Sequence, residues 1–154
     1  MKRIVIAGCG GFGQEVYEYL SQDIKNDILI DVELIGVIDD FEELFKSSGI
    51  DLPFLGSISS YKFDNETFAI VCVGDVKSRV QLTDKILHNG GKLYTYIHSS
   101  CYIADSSCIS DGVIVCPQSI INANAVIDRS VVINVCSSVG HGAHIGKNST
   151  ISPY

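Results

Sequence analysis

The chain has 154 residues, a length typical of one domain but also sufficient for two half-size modules. Its composition, 46% hydrophobic and 19% charged, excludes a disordered segment. Eleven Lys and Arg against eighteen Asp and Glu leave a net charge of −7, which opposes phosphate backbones and anionic membranes yet permits a local anion site.

The first element in chain order is Arg3–Ala7, a short buried-strand pattern that breaks into Gly8-Cys9-Gly10-Gly11-Phe12-Gly13. Val16, Leu20 and the tyrosines at 17 and 19 then predict a helix. Glu33–Ile38 predicts a second strand, ended by Asp39-Asp40, and Phe68–Val73 a third, followed by Gly74. Val76, Val80, Thr83 and Leu87 recur at helical spacing, with Gly90-Gly91 as the stop. Strands alternating with helices predict a parallel sheet with right-handed crossovers, an α/β Rossmann-like domain over residues 1–96.

From Ile97 the period becomes six. Ile97, Ile103, Ile109, Val115, Ile121, Ile127, Ile133, Val139, Ile145 and Ile151 place a branched aliphatic at every step, and a small or β-branched residue stands two positions before each. A period of six fits neither a helix nor a hairpin sheet. It fits a parallel β-helix of hexapeptide repeats, about three coils over residues 97–154, with one aliphatic per short strand pointing into a triangular prism.

Gly8-x-Gly10-x-x-Gly13, placed between a strand and a helix, lets the backbone turn sharply and aim amide groups and a helix dipole at a phosphate. The motif alone also suits a nicotinamide dinucleotide, with Asp39 as the acidic residue for its ribose, but little chain remains before the β-helix to hold the nicotinamide. Gly74 would allow close ligand approach after the third strand. Arg79 would reach an anion or cover the surface of its helix. His141 occupies a phase of the repeat filled elsewhere by Ser99, Asp105, Pro117, Arg129 and others, so the fold does not require it. An imidazole there can take the proton of a nucleophile during acyl transfer, or be a solvated surface histidine.

The cysteines (Cys9, Cys72, Cys101, Cys108, Cys116 and Cys136) contain no C-x-x-C pair and the histidines complete no zinc pattern, so reduced, mostly buried thiols and no metal are expected. Ile4–Ala7 is shorter than the roughly 7–15 apolar residues of a secretion signal, and no run approaches the roughly 20 that span a bilayer. The expected protein is cytoplasmic, with neither a membrane nor a nucleic-acid partner.

Gly8–Gly13, then Ile38-Asp39-Asp40, then Val73-Gly74 with Arg79, then the hexads around Ile133–His141, resemble in order the bacterial sugar acyltransferases of the sialic-acid O-acetyltransferase and bacillosamine N-acetyltransferase type. The resemblance implies a left-handed β-helix, a homotrimer, and an acetyl-CoA donor bound between neighbouring helices. It assigns the nucleotide-linked sugar to Gly8, Gly10, Gly11, Phe12, Gly13, Asp39, Asp40, Gly74 and Arg79. His141 becomes the general base, Asn134 a neighbour of the acceptor, and Gly140, Ser149 and Thr150 part of the acetyl-CoA pocket. The expected activity is acetyl transfer to the amine or hydroxyl of such a sugar; a non-catalytic nucleotide-sugar-binding or trimeric scaffold protein is the alternative. Two departures stand out. Gly142 replaces the acidic residue that usually follows the histidine, and the family continues for several coils past the position of Tyr154, so a shortened form or fragment with weak acetyl-CoA binding, or a last coil covered by another subunit, is expected.

Overall fold

The structure, a computed structural model, describes residues 1–154 and divides into two compact units, Met1–Tyr94 and Thr95–Tyr154. In the first, a parallel sheet runs in the order β2 (Val32–Ile38), β1 (Lys2–Ala7), β3 (Thr67–Val71), β4 (Lys92–Leu93). Ile4, Val5, Ile6 and Ala7 are all fully buried, which explains why β1 reads as an unbroken aliphatic run instead of an alternation. Helices α1 (Gly11–Lys25), α2 (Glu42–Lys46) and α3 (Val76–His88) complete the unit. From β1 the chain crosses to β2 on one side and later to β3 on the other. The carboxyl ends of β1 and β3 therefore flank the point where the winding reverses, the usual place for a ligand in such a sheet.

Two details differ from the sequence reading. The buried face of α3 is Arg79, Thr83 and Ile86, whereas Val76 and Leu87, in its first and last turns, are 44% and 37% exposed. The short elements α2 and β4 carry too few residues for a periodic signal. After α3, Gly90 adopts φ +80° and the Gly91 N–H returns to the Ile86 carbonyl at 2.9 Å, so the two glycines do end the helix.

The second unit is a left-handed parallel β-helix of ten two-residue strands: β5 (Tyr96–Ile97), β6 (Tyr102–Ile103), β7 (Cys108–Ile109), β8 (Ile114–Val115), β9 (Ile120–Ile121), β10 (Val126–Ile127), β11 (Val132–Ile133), β12 (Ser138–Val139), β13 (His144–Ile145) and β14 (Thr150–Ile151). They stack into three walls, β5-β8-β11-β14, β6-β9-β12 and β7-β10-β13. Strands of one wall are eighteen residues apart, as in the pairing of Ile97 with Val115 and of Val115 with Ile133. The hexad aliphatics and the small residues before them share one interior: Val113, Val115, Ile121, Ala125, Ile127, Val131 and Ile133 have no exposed surface.

The corners obey a second rule. From Gly112 onward every sixth residue (Gly112, Gln118, Asn124, Ser130, Cys136, Gly142, Asn148 and Tyr154) is left-handed, with φ between +55° and +73°. From Ser130 on, the amide of each corner donates to a carbonyl of the coil before, as Gly142 does to Ala123 at 2.9 Å. Below that, side-chain oxygens take over this role: Thr95 Oγ1, Ser100 Oγ and Ser106 Oγ accept from the amides of Gly112, Gln118 and Asn124.

Candidate functional site

A cavity of about 480 Å³ opens in the first unit, lined by Gly8, Gly10, Gly11, Phe12, Asp39, Asp40 and Gly74 among the residues expected there. Gly10 caps α1 without a side-chain hydrogen bond, and the first helical bond runs from the Gln14 N–H to the Gly10 carbonyl. The amides before it have no carbonyl of their own helix to meet, so the positive end of α1 lies open on the cavity side. A Cβ added at Gly10 or Gly11 would touch no protein atom within 4 Å. The packing of the fold therefore does not demand glycine at either position.

Gly8 and Gly13 have the opposite role. Gly8 has φ +98° and a Cβ there would come 2.7 Å from Val73 Cγ2; one at Gly13 would come 2.2 Å from the Gly8 carbonyl oxygen. Gly13 is absent from the cavity wall and instead lets α1 pack tightly on the loop.

Asp39, 6% exposed, spends its carboxylate on backbone. Its Oδ2 accepts the Cys9 amide at 2.9 Å and the Cys9 thiol at 3.1 Å, and its Oδ1 accepts the Phe41 amide at 2.8 Å. Asp40 accepts the Ile58 amide at 3.0 Å and faces Lys85 Nζ at 3.2 Å.

Arg79 requires a correction. It is 1% exposed and lies outside the cavity lining, with Nη1 donating to the carbonyls of Val73 and Gly74 at 3.0 and 3.1 Å. Burial pushes its pKa down, partly opposed by Asp75. The guanidinium braces the loop after β3 from beneath instead of presenting charge to a ligand. The sequence reading missed Phe41, Leu44, Ser78, Gln81 and Lys85, all on the cavity wall. The α3 contributors Ser78, Gln81 and Lys85 recur at i, i+3 and i+7, a signal that helical spacing could have supplied.

In the β-helix the expected residues fall in three successive turns. Asn134 follows β11, with its Oδ1 accepting the Val135 amide at 2.8 Å. Gly140 and His141 lie in the turn after β12, exposed, and the His141 ring has no hydrogen-bond partner within the chain. Ser149 ends the turn after β13, its Oγ donating to the Gly146 carbonyl at 2.7 Å, and Thr150 opens β14. Successive turns lie on successive edges of the prism, so one chain does not bring the three groups together. The neighbouring His144 meets Asp128 of the coil below, Nε2 to Oδ2 at 3.0 Å. Gly142, the residue in place of a carboxylate, occupies a left-handed corner at φ +67°.

No group of three or more His, Cys, Asp or Glu side chains is placed to hold a metal ion. All six cysteines are thiols; Cys9, Cys72 and Cys116 are buried, Cys101 is half-buried, and Cys108 and Cys136 are exposed, so fewer are buried than the expected majority. No helix is long and apolar enough to cross a membrane.

Residues 3–86 match the PglD N-terminal domain family, and the chain belongs to it. It is 28% identical over 148 residues to the GDP-perosamine N-acetyltransferase of Escherichia coli O157:H7, covering 96% of this chain and 66% of that protein, just under two thirds of its length. Among solved structures it is similar to the acetyltransferase domain of PglB from Neisseria gonorrhoeae FA1090 in complex with acetyl coenzyme A, with TM-score 0.81, 23% identity, and coverage of 99% of this chain and 71% of the other. WeeI from Acinetobacter baumannii AYE gives TM-score 0.77 and 24% identity, with 99% and 70% covered. These structural likenesses establish the fold.

Proposed function

We propose that this member of the PglD N-terminal domain family takes part in acetyl transfer from acetyl-CoA to the amine of a nucleotide-linked sugar. The observation that carries this reading is the cavity walled by Gly8, Gly10 and Gly11 at the open end of α1, a cradle for a diphosphate. Transfer to nitrogen is favoured over transfer to oxygen by the similarity to an N-acetyltransferase acting on GDP-perosamine. The acetyl-CoA complex of the similar PglB domain supports the donor.

In this reaction the sugar amine attacks the thioester carbonyl carbon, the carbon–sulfur bond breaks, and the CoA thiolate leaves. His141 accepts the proton released by the amine and returns it to the thiolate. Its ring, free of partners within the chain, is available for that role. Gly140 serves the donor beside His141, while Asn134, Ser149 and Thr150 serve acceptor and donor from other edges of the prism, and groups on different edges meet when prisms stand side by side. A homotrimer provides this, and the outward-facing Tyr102 and Ile120, 61% and 42% exposed, provide apolar surface for it. Six free thiols and a nucleotide-linked substrate support a cytoplasmic setting for this reaction.

The reading is tested by thiol release from acetyl-CoA in the presence of GDP- and UDP-linked amino sugars, with calorimetry of each ligand alone. Release that depends on the amino sugar is the expected result. Binding of nucleotide sugar without release would favour the scaffold function, and binding of NAD alone would overturn the reading.

A further inference from the structure

The cavity wall carries two chemically different features. One is the glycine loop. The other is Phe41, an aromatic ring that lines the cavity and yet remains 70% exposed, beside Leu44 at 41%. An exposed phenyl ring on a soluble surface is unfavourable unless something covers it.

The backbone of Phe41 is fixed although its side chain is uncovered. Its N–H donates to Asp39 Oδ1 at 2.8 Å, and its carbonyl accepts the Leu44 and Phe45 amides at 3.0 and 3.4 Å. The other oxygen of the same carboxylate holds the Cys9 amide in the glycine loop. One buried side chain thus ties the backbone of the glycine loop to the backbone that carries the ring. An aromatic anchored by its backbone near a diphosphate site matches the layout of a nucleoside diphosphate, whose base has a π-face at one end and whose phosphates lie at the other.

We propose that Phe41 is the platform on which the nucleobase stacks, which rests on the reading that the cavity takes the nucleotide. The polar side chains of Gln81, Lys85 and Asp40 also line the cavity and can meet the edge of the base. Stacking accepts either ring size, so Phe41 contributes affinity for UDP and GDP alike, and selectivity between them falls to those polar groups.

The test is calorimetric titration of UDP, GDP and inorganic pyrophosphate into the full chain and into Phe41→Ala, Phe41→Leu and Phe41→Trp. The ring is exposed, so the substitutions leave the fold intact, which circular dichroism checks. Phe41→Ala and Phe41→Leu should weaken both nucleotides by about 5- to 150-fold while leaving pyrophosphate affinity unchanged, and Phe41→Trp should retain binding. Wild-type nucleotide affinity in Phe41→Leu would overturn the stacking proposal alone, as would an equal loss for pyrophosphate. Failure of the unmutated chain to bind either nucleotide would overturn the nucleotide reading together with the proposal.

Discussion

Cys9 gives both its amide hydrogen and its thiol hydrogen to one oxygen of Asp39. The two donors converge on a buried carboxylate, and deprotonating the thiol would place two negative charges there. Burial first, and the bond to Asp39 second, push the Cys9 pKa up to about 12.

A thiol held neutral in the folded chain but ordinary in the unfolded one stabilises the fold fully below pH about 8. That contribution declines as pH rises toward the folded value, by about 1.4 kcal/mol per unit. The urea midpoint should therefore drop between pH 8 and pH 10, and Cys9→Ala should show a smaller drop. In the native protein at pH 8, iodoacetamide should label the exposed Cys108 and Cys136 and spare Cys9, as peptide mapping would report.

Within the glycine loop the four substitutions should separate into two pairs. Gly13→Ala and Gly8→Ala drive a methyl into the Gly8 carbonyl or against Val73, and should destabilise the first unit by several kcal/mol, about the scale of an overpacked core. Gly10→Val and Gly11→Val meet only open space in the protein and should leave thermal unfolding within a few degrees of wild type while abolishing nucleotide-sugar binding. Equal loss of stability in both pairs, seen by calorimetric melting, would contradict this division.

Arg79 should behave as a brace. Arg79→Met removes the donor from two carbonyls and should lower stability by about 2 kcal/mol, because hydrogen bonds to a charged group are worth roughly 1.5–3 kcal/mol. Arg79→Lys should recover only part of that loss, since an ammonium lacks the planar fork. The salt dependence of nucleotide affinity should match wild type in Arg79→Met, which removes the charge; a reduced slope would mean that the guanidinium meets the phosphates after all.

His141→Ala should reduce thiol release by about 10²–10⁴-fold with little change in nucleotide-sugar affinity. Gly142→Glu tests the missing carboxylate. The corner is left-handed, which costs a non-glycine residue about 1–2 kcal/mol, but a Cβ there meets nothing within 4 Å. Gln118, Ser130 and Cys136 occupy equivalent corners, so the variant should fold. Turnover above wild type is the expected result; unchanged turnover would show that ring orientation does not limit the base.

The β-helix was legible in the sequence because its interior tolerates only one kind of residue at each sixth position, from Ile97 to Ile151. Its left-handed corners were not legible: Gln118, Ser130 and Cys136 carry no glycine or asparagine signature, and the acceptors that hold them, Ser100 Oγ for the first and backbone carbonyls for the other two, lie eighteen or nineteen residues earlier. The same asymmetry governs the cavity. Gly8 and Gly10 announce themselves by type, whereas Arg79 read as an anion ligand because the carbonyls that occupy it, Val73 and Gly74, leave no mark in a sequence. Phe41 belongs to no motif and no periodic run, and only its exposure on the cavity wall sets it apart.

The prism counts its chain in two units at once. Its interior and corners repeat every six residues, but a wall or an edge recurs only every eighteen, as the pairing of Val126 with His144 illustrates. Inserting a single hexad before Val139 would leave every aliphatic inside and every left-handed corner in phase, and the coil would still close. His141 would nevertheless emerge on the next edge, facing a different neighbour. Foldability is thus preserved by changes in steps of six, while the address of the side chain proposed as base survives only steps of eighteen, so natural length variation upstream of His141 should come in whole coils.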